Sequence, residues 1–227
     1  MNRMDISQED IKDIINKTET FVRESLEGSE AGHDWSHIER VVRNARTIGE
    51  CENADMLVLE LSALLHDIAD SKFHDGNEEL GPQRSERFLK KQGLPDDLVD
   101  HVVNIIRHVS FKNELDTTGK PTFDSLELRI LKDADRLDAI GAIGVARAFH
   151  YGGFKNRSLH DPSIKPQVNQ SKEQYKKSDA PTINHFYEKL LLLKDKMNTP
   201  TGQKMAAERH AFMEQFLDNF YREWEGK

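Results

Sequence analysis

One stretch of the chain, residues 55–68, is apolar on every side of the helix that it would form, until it ends at the pair His66–Asp67. Such a helix is stable only where other elements cover it, so the stretch predicts the buried centre of a helical bundle. A carboxylate and an imidazole at its end are costly unless a partner satisfies them. The stretch therefore constrains the fold and also indicates a site.

Apolar residues recur at helical spacing along most of the remaining chain, without strand-like alternation or internal repeats. Ser7 with Asp10, and Ser36 with Glu39, are spaced as helix N-terminal capping boxes. We expect an all-α single domain of residues 1–227. Its predicted parts are a core of about residues 20–150, a loop or lid of about 152–181, and a helical pair of about 182–225. Within them, the pattern predicts helices from Ser7 through Val22, near Ser36 through Ile48, at 82–92 and 95–109, and from Leu126 to Phe149.

The charge balance limits the classes of partner. The 40 acidic and 32 basic residues give a formal net charge of -8, which argues against a stable nucleic-acid or acidic-membrane partner but allows a local basic pocket. Cys51 has no second cysteine to pair with, the polar N-terminus is unlike a signal peptide, and no run of about 18 apolar residues occurs. We expect a cytoplasmic protein. Apolar faces on its terminal helices could form a homodimer.

His37, His66, Asp67 and Asp135 lie in or beside predicted helices and could share one divalent metal ion. Imidazole nitrogen and carboxylate oxygen suit Mn²⁺, Fe²⁺, Ni²⁺, Zn²⁺ or Mg²⁺. Such an ion lowers the pKa of bound water and makes it a nucleophile near neutral pH. The alternative is that His37 caps its helix, and that His66 and Asp67 are ordinary polar residues at a helix end.

Three stretches, residues 33–41, 64–68 and 132–138, resemble the HD-domain metal-dependent phosphohydrolase superfamily. The similarity covers roughly residues 20–222, and the segment 185–191 is also similar to a subgroup of small bacterial HD proteins. The resemblance implies one divalent metal, with Mn favoured over Mg, Ni, Fe, Zn or Co. It places His37, His66, Asp67 and Asp135 as the ligands. His33 is the alternative to His37, although it precedes the predicted helix and could instead line the pocket.

Two residues are candidates for proton transfer. Asp70 follows Asp67 by three residues, and related HD nucleotidases carry an acidic residue at this offset; it could orient or deprotonate the attacking water. His108, at the end of an apolar helix, could contact a phosphate or protonate a leaving group. The alternatives are a solvent-facing carboxylate and a capping or core histidine.

A phosphorylated substrate needs cations, and four basic residues are candidates for holding it. Each could instead form a surface salt bridge. The candidates are Arg40, Lys72, Lys189 and Arg209.

The sequence thus favours a phosphohydrolase in which metal-activated water attacks a small phosphorylated substrate. The subgroup resemblance favours a nucleoside triphosphate, with release of nucleoside monophosphate and pyrophosphate. A 5′-nucleotidase or phosphodiesterase of the same superfamily is the alternative enzyme. A non-catalytic nucleotide-sensing module is the alternative of another class.

Overall fold

The computed structural model describes residues 6–26, 34–68, 77, 79–109, 123–168 and 179–227. In these ranges the regular secondary structure is entirely helical, which confirms the predicted all-α class. None of the described helices is both long and apolar enough to cross a membrane. The chain divides into two compact units, Met1–Ala134 and Asp135–Lys227.

Six of the described helices begin in the first unit. They are α1 (Gln8–Ser25), α2 (Trp35–Glu52), α3 (Met56–Leu65), α4 (Leu80–Lys91), α5 (Asp96–Val109) and α6 (Leu126–Asp138).

The apolar helix α3 is the centre of this unit, as its sequence predicts. It packs against α1, α2 and α5, and its side chains from Val58 to Leu65, apart from Glu60, are buried. The helix ends at its C-cap residue, His66. Because α3 is packed against other helices up to its end, the His66–Asp67 pair lies beside the core rather than in an exposed loop.

The start of α2 differs from the prediction, while the start of α1 agrees with it. Ser7 and Asp10 form the expected capping box. The predicted box of Ser36 and Glu39 is wrong, because α2 begins at Trp35 and its N-cap is Asp34. The Asp34 carboxylate accepts a hydrogen bond from the backbone N–H of His37 at 3.0 Å, which satisfies a donor that the first helical turn leaves open.

The second unit contains the end of α6 and four further helical elements. These are α7 (Gly141–Phe154), α8 (Asn184–Glu188), a 3₁₀ helix (Leu190–Lys196) and α9 (Pro200–Trp224). The helix α9 packs against α7 and against the 3₁₀ helix. Phe216 of α9 lies 5.8 Å, between ring centroids, from both Phe149 and Phe186, so aromatic contacts form much of this core.

The predicted single helix from Leu126 to Phe149 is wrong, because the chain breaks between α6 and α7. Gly141 has a φ of +72°, a left-handed conformation that fits glycine and interrupts a right-handed helix. The side chain of Arg209 packs against this glycine. The helix α7 then continues to Phe154, so the first residues of the predicted loop at 152–181 are helical.

Candidate metal centre

Three of the four predicted metal ligands come together in the first unit. His37, His66 and Asp67 each offer a ligand atom, and these atoms all lie within 4.8 Å of one another. Nε2 of His37 is 3.9 Å from Oδ2 of Asp67, and the two imidazole centroids are 5.5 Å apart. Donors bonded to one ion at about 2.0–2.2 Å lie up to ~4.4 Å from each other, so the cluster has nearly the size that one metal requires.

Local structure holds both imidazoles in place. His37 lies in the first turn of α2, with its backbone fixed by Asp34 and only 3% of the residue exposed. Nδ1 of His66 is 2.8 Å from the carbonyl oxygen of Ala63, one turn earlier on α3. A carbonyl oxygen can only accept, so Nδ1 carries the proton and Nε2 presents its lone pair. This is the arrangement that orients a metal-ligating histidine.

The Nε2 atom of His66 is the observation that most directly indicates a ligand. It is buried and has no hydrogen-bond partner within the described ranges. Buried polar atoms are rarely left unsatisfied, because the loss of their hydration costs free energy. A divalent cation shared with His37 and Asp67 would satisfy this lone pair, and the donor set of imidazole nitrogen and carboxylate oxygen is chemically suited to it. The residues therefore fit a divalent metal.

A buried asparagine on α2 links the helix of His37 to α6. Asn44 lies seven residues, or two helical turns, after His37, which puts both on one face of α2. Its Nδ2 donates a hydrogen bond to the backbone carbonyl of Ala134 at 3.2 Å. Asp135 follows directly on α6, as the first residue of the second unit, and is partly buried. Its role as the fourth ligand stays a prediction.

The proton-transfer candidates are placed only in part. Asp70 lies outside the described residues, as does His33, the alternative ligand. His108 is near the end of α5, with Nδ1 2.8 Å from the carbonyl oxygen of Asn104 and its ring 5.4 Å from that of Phe123. These contacts are those of a packed helix-end histidine, and a catalytic role for His108 stays a prediction.

The predicted phosphate-binding cations have different surroundings. Arg40 is a half-buried residue of α2, and Lys72 is outside the described residues. Arg209 donates to the carbonyl of Leu137 at 2.5 Å, and burial lowers the pKa of its guanidinium. The charge of Lys189 acts in the same direction as burial and lowers the pKa of His185. Binding of substrate by these four residues stays a prediction.

Sequence reasoning missed three features that position the ligands. Asp34 could have been found, because an aspartate three residues before His37 has N-cap spacing. Asn44 leaves a weaker signal, a polar residue among the apolar positions of α2. The carbonyl of Ala63 leaves none, because every residue at that position would supply the same backbone oxygen.

Comparisons with known proteins agree with the predicted resemblance and confirm it. The family model described as HD domain matches residues 34–140. YpgQ of Bacillus subtilis (strain 168) is 38% identical over 198 residues, which cover 87% of each chain. A crystal structure of an HD-superfamily hydrolase from Bacillus thuringiensis covers 96% of this chain and 100% of its own, with 39% identity and a TM-score of 0.76. The crystal structure of Bacillus subtilis YpgQ in complex with ADP covers 94% and 96%, with 34% identity and a TM-score of 0.73.

Proposed function

We propose, from the premise that the chain belongs to the HD domain family, that it is a nucleoside triphosphate pyrophosphohydrolase. Membership makes it a metal-dependent phosphohydrolase. The observation that carries the proposal is the cluster of His37, His66 and Asp67, in which the buried Nε2 of His66 has no hydrogen-bond partner among the described residues. We further propose Mn²⁺ as the metal and the cytoplasm as the compartment.

The substrate class rests on a relative. The crystal structure of Bacillus subtilis YpgQ, at 34% identity, is of a complex with ADP. A site that accepts the adenosine and two phosphates of ADP supports a nucleotide as the substrate of this chain as well. Hydrolysis at the α-phosphorus of a triphosphate breaks its bond to the bridging oxygen, and the products are the monophosphate and pyrophosphate.

His37, His66 and Asp67, together with Asp135, would hold the metal. A divalent ion so bound supplies a hydroxide-like nucleophile near neutral pH and offsets negative charge on the phosphoryl group. The Ala63 carbonyl keeps the proton of His66 on Nδ1, so that Nε2 stays available as a ligand.

The remaining roles are proposed from the sequence. Asp70 would accept the proton of the attacking water, and His108 would protonate the leaving phosphate. Four cations would bind the phosphate groups and offset their negative charge. These are Arg40, Lys72, Lys189 and Arg209.

Product analysis tests the proposal. The purified protein with Mn²⁺ is given nucleoside triphosphates, diphosphates, monophosphates and cyclic nucleotides in oxygen-18 water. We expect pyrophosphate from triphosphates, with the heavy oxygen in the monophosphate because attack is at the α-phosphorus. Asp67→Asn should abolish turnover, whereas Asp100→Asn, at an exposed position of α5, should retain it.

Other product patterns would overturn the proposal. Orthophosphate from monophosphates would make the protein a 5′-nucleotidase, and opening of cyclic nucleotides would make it a phosphodiesterase. If no compound of the panel is turned over, although the protein binds Mn²⁺ and nucleotide, the protein is a sensing module.

A further inference from the structure

A groove between α1 and α4 shares no residue with the metal cluster. Its volume is about 650 Å³, within the range of small-molecule sites. The α4 residues that line the groove recur every three or four positions and so form one face of that helix. They include Arg84, Arg87, Phe88 and Lys91. Both walls of the groove belong to the first unit of the chain.

The groove is strongly basic, although the chain as a whole is acidic. Four cations, Lys17, Arg84, Arg87 and Lys91, line it with one acidic residue, Glu24. Lys17 is paired with Asp13 at 2.6 Å, so the three cations of α4 against Glu24 leave an excess of two positive charges (three minus one). The chain as a whole has a net charge of -8. A patch of positive charge on an acidic protein raises the local concentration of anions.

Within the described ranges, the three cations of α4 that line the groove form no ion pair with a carboxylate. Lys90 is not one of the lining residues and binds Glu86 at 2.7 Å. Arg87 and Lys91, which do line the groove, form no ion pair within the described ranges. Arg84 is held by a hydrogen bond of 3.1 Å to Oγ of Ser25 and lies 5.9 Å from the ring centroid of Phe21. One guanidinium is thus fixed and two charges remain available to a ligand.

Two aromatic rings form the apolar part of the groove. Phe21 and Phe88 are stacked, with centroids 4.3 Å apart and an interplanar angle of 8°. Both residues are half-buried, so part of each ring still faces the groove. Flat apolar surface beside arginines suits a ligand that has a planar ring at one end and phosphate oxygens at the other.

We propose that this groove is a second, metal-independent binding site for a nucleotide. Arg87 and Lys91 bind the phosphates, Arg84 adds a fixed positive charge, and the Phe21–Phe88 pair contacts the ring. The site needs no residue of the metal cluster, so it does not depend on the proposed catalytic function.

The test is a titration of the full chain with ADP in the presence of EDTA, followed by the backbone amide NMR signals of α1 and α4. We expect saturable shifts at residues 84–92. Arg87→Gln/Lys91→Gln should weaken this binding at least about tenfold, since two charge-assisted contacts are lost. Lys90→Gln, a control that removes a lysine of α4 outside the lining residues, should bind as the wild type does. All these variants should retain Mn²⁺-dependent hydrolysis.

Two results would overturn the proposal. One is that ADP leaves the amides of 84–92 unshifted, or shifts them equally in the double variant. The other is that pyrophosphate alone binds the groove as tightly as ADP, because the ring would then contribute nothing. Because EDTA removes divalent metal from the titration, neither result depends on whether the protein hydrolyses triphosphates.

Discussion

The side-chain amide of Asn44 on α2 donates a hydrogen bond to the backbone carbonyl of Ala134 on α6, over 3.2 Å. Asn44 is two helical turns after His37, and Ala134 directly precedes Asp135. The bond therefore links the helix that carries His37 to the residue directly before the predicted fourth ligand.

Asn44→Ala should weaken both the fold and metal binding. Loss of the bond leaves the Ala134 carbonyl without this donor in a buried place, and we expect the free energy of unfolding to fall by about 1–3 kcal/mol. Chemical denaturation measures this loss, and a Mn²⁺ titration of the folded variant should show weaker affinity. The matched control is Thr18→Ala on α1, which removes a buried hydroxyl bonded to Ile14 at 2.7 Å. It should lower stability alone, and equal Mn²⁺ affinity in both variants would contradict the positioning role.

Ser62→Ala should have the opposite effect on stability. The Ser62 side chain is fully buried on α3, and its Oγ has no hydrogen-bond partner in the part of the chain that the structure describes. Removing an unpaired buried hydroxyl, in favour of a better helix former, should stabilise the protein by about 1 kcal/mol. A denaturation midpoint below that of the wild type would show that this hydroxyl has a partner in solution.

The stability of the second unit should decrease in mild acid because of His185. Burial, with smaller effects from the charges of Lys189 and Arg157, lowers the pKa of this imidazole from 6.5 to about 3. Between these values the unfolded chain binds a proton that the folded chain does not, so the free energy of unfolding falls as the pH drops below 6.5. His185→Gln should make denaturation midpoints less dependent on pH from 7 to 4. An unchanged slope would mean that His185 is protonated in the folded protein.

Two glycines of α7 should respond oppositely to alanine. Gly141 has a φ of +72°, and an added Cβ would lie 2.9 Å from Cγ of Arg209, so Gly141→Ala should cost about 1–2 kcal/mol or more. Gly153 is in the last turn, and an added Cβ would meet nothing within 4 Å. Gly153→Ala should therefore stabilise the protein by about 0.5–1 kcal/mol. Thermal unfolding of both variants compares the two effects. Equal melting temperatures in the two variants would contradict the prediction that Gly141, unlike Gly153, requires glycine.

The extent to which the sequence predicts this molecule depends on the range of the interactions involved. Helix α3 follows from a local pattern, a mostly apolar segment, whereas the meeting of His37 with His66 and Asp67 is implied by the family resemblance of short motifs. The break at Gly141 does not follow from a local pattern, because a glycine inside a helical pattern is tolerated in many helices. Here the glycine also packs closely against Arg209, a residue 68 positions later, and such a contact has no local sequence signal. The proton on Nδ1 of His66 depends on a backbone carbonyl, which has no sequence signal.

The most direct test of the metal centre is a Mn²⁺ titration followed by electron paramagnetic resonance of the free ion. It compares the wild type with His66→Gln and with His101→Gln, which replaces a histidine outside the cluster. We predict one ion bound per chain in the wild type and in His101→Gln, and an affinity at least about tenfold weaker in His66→Gln, because the ligand lone pair is lost. Equally tight binding of Mn²⁺ by His66→Gln would contradict the assignment of this cluster as the metal centre.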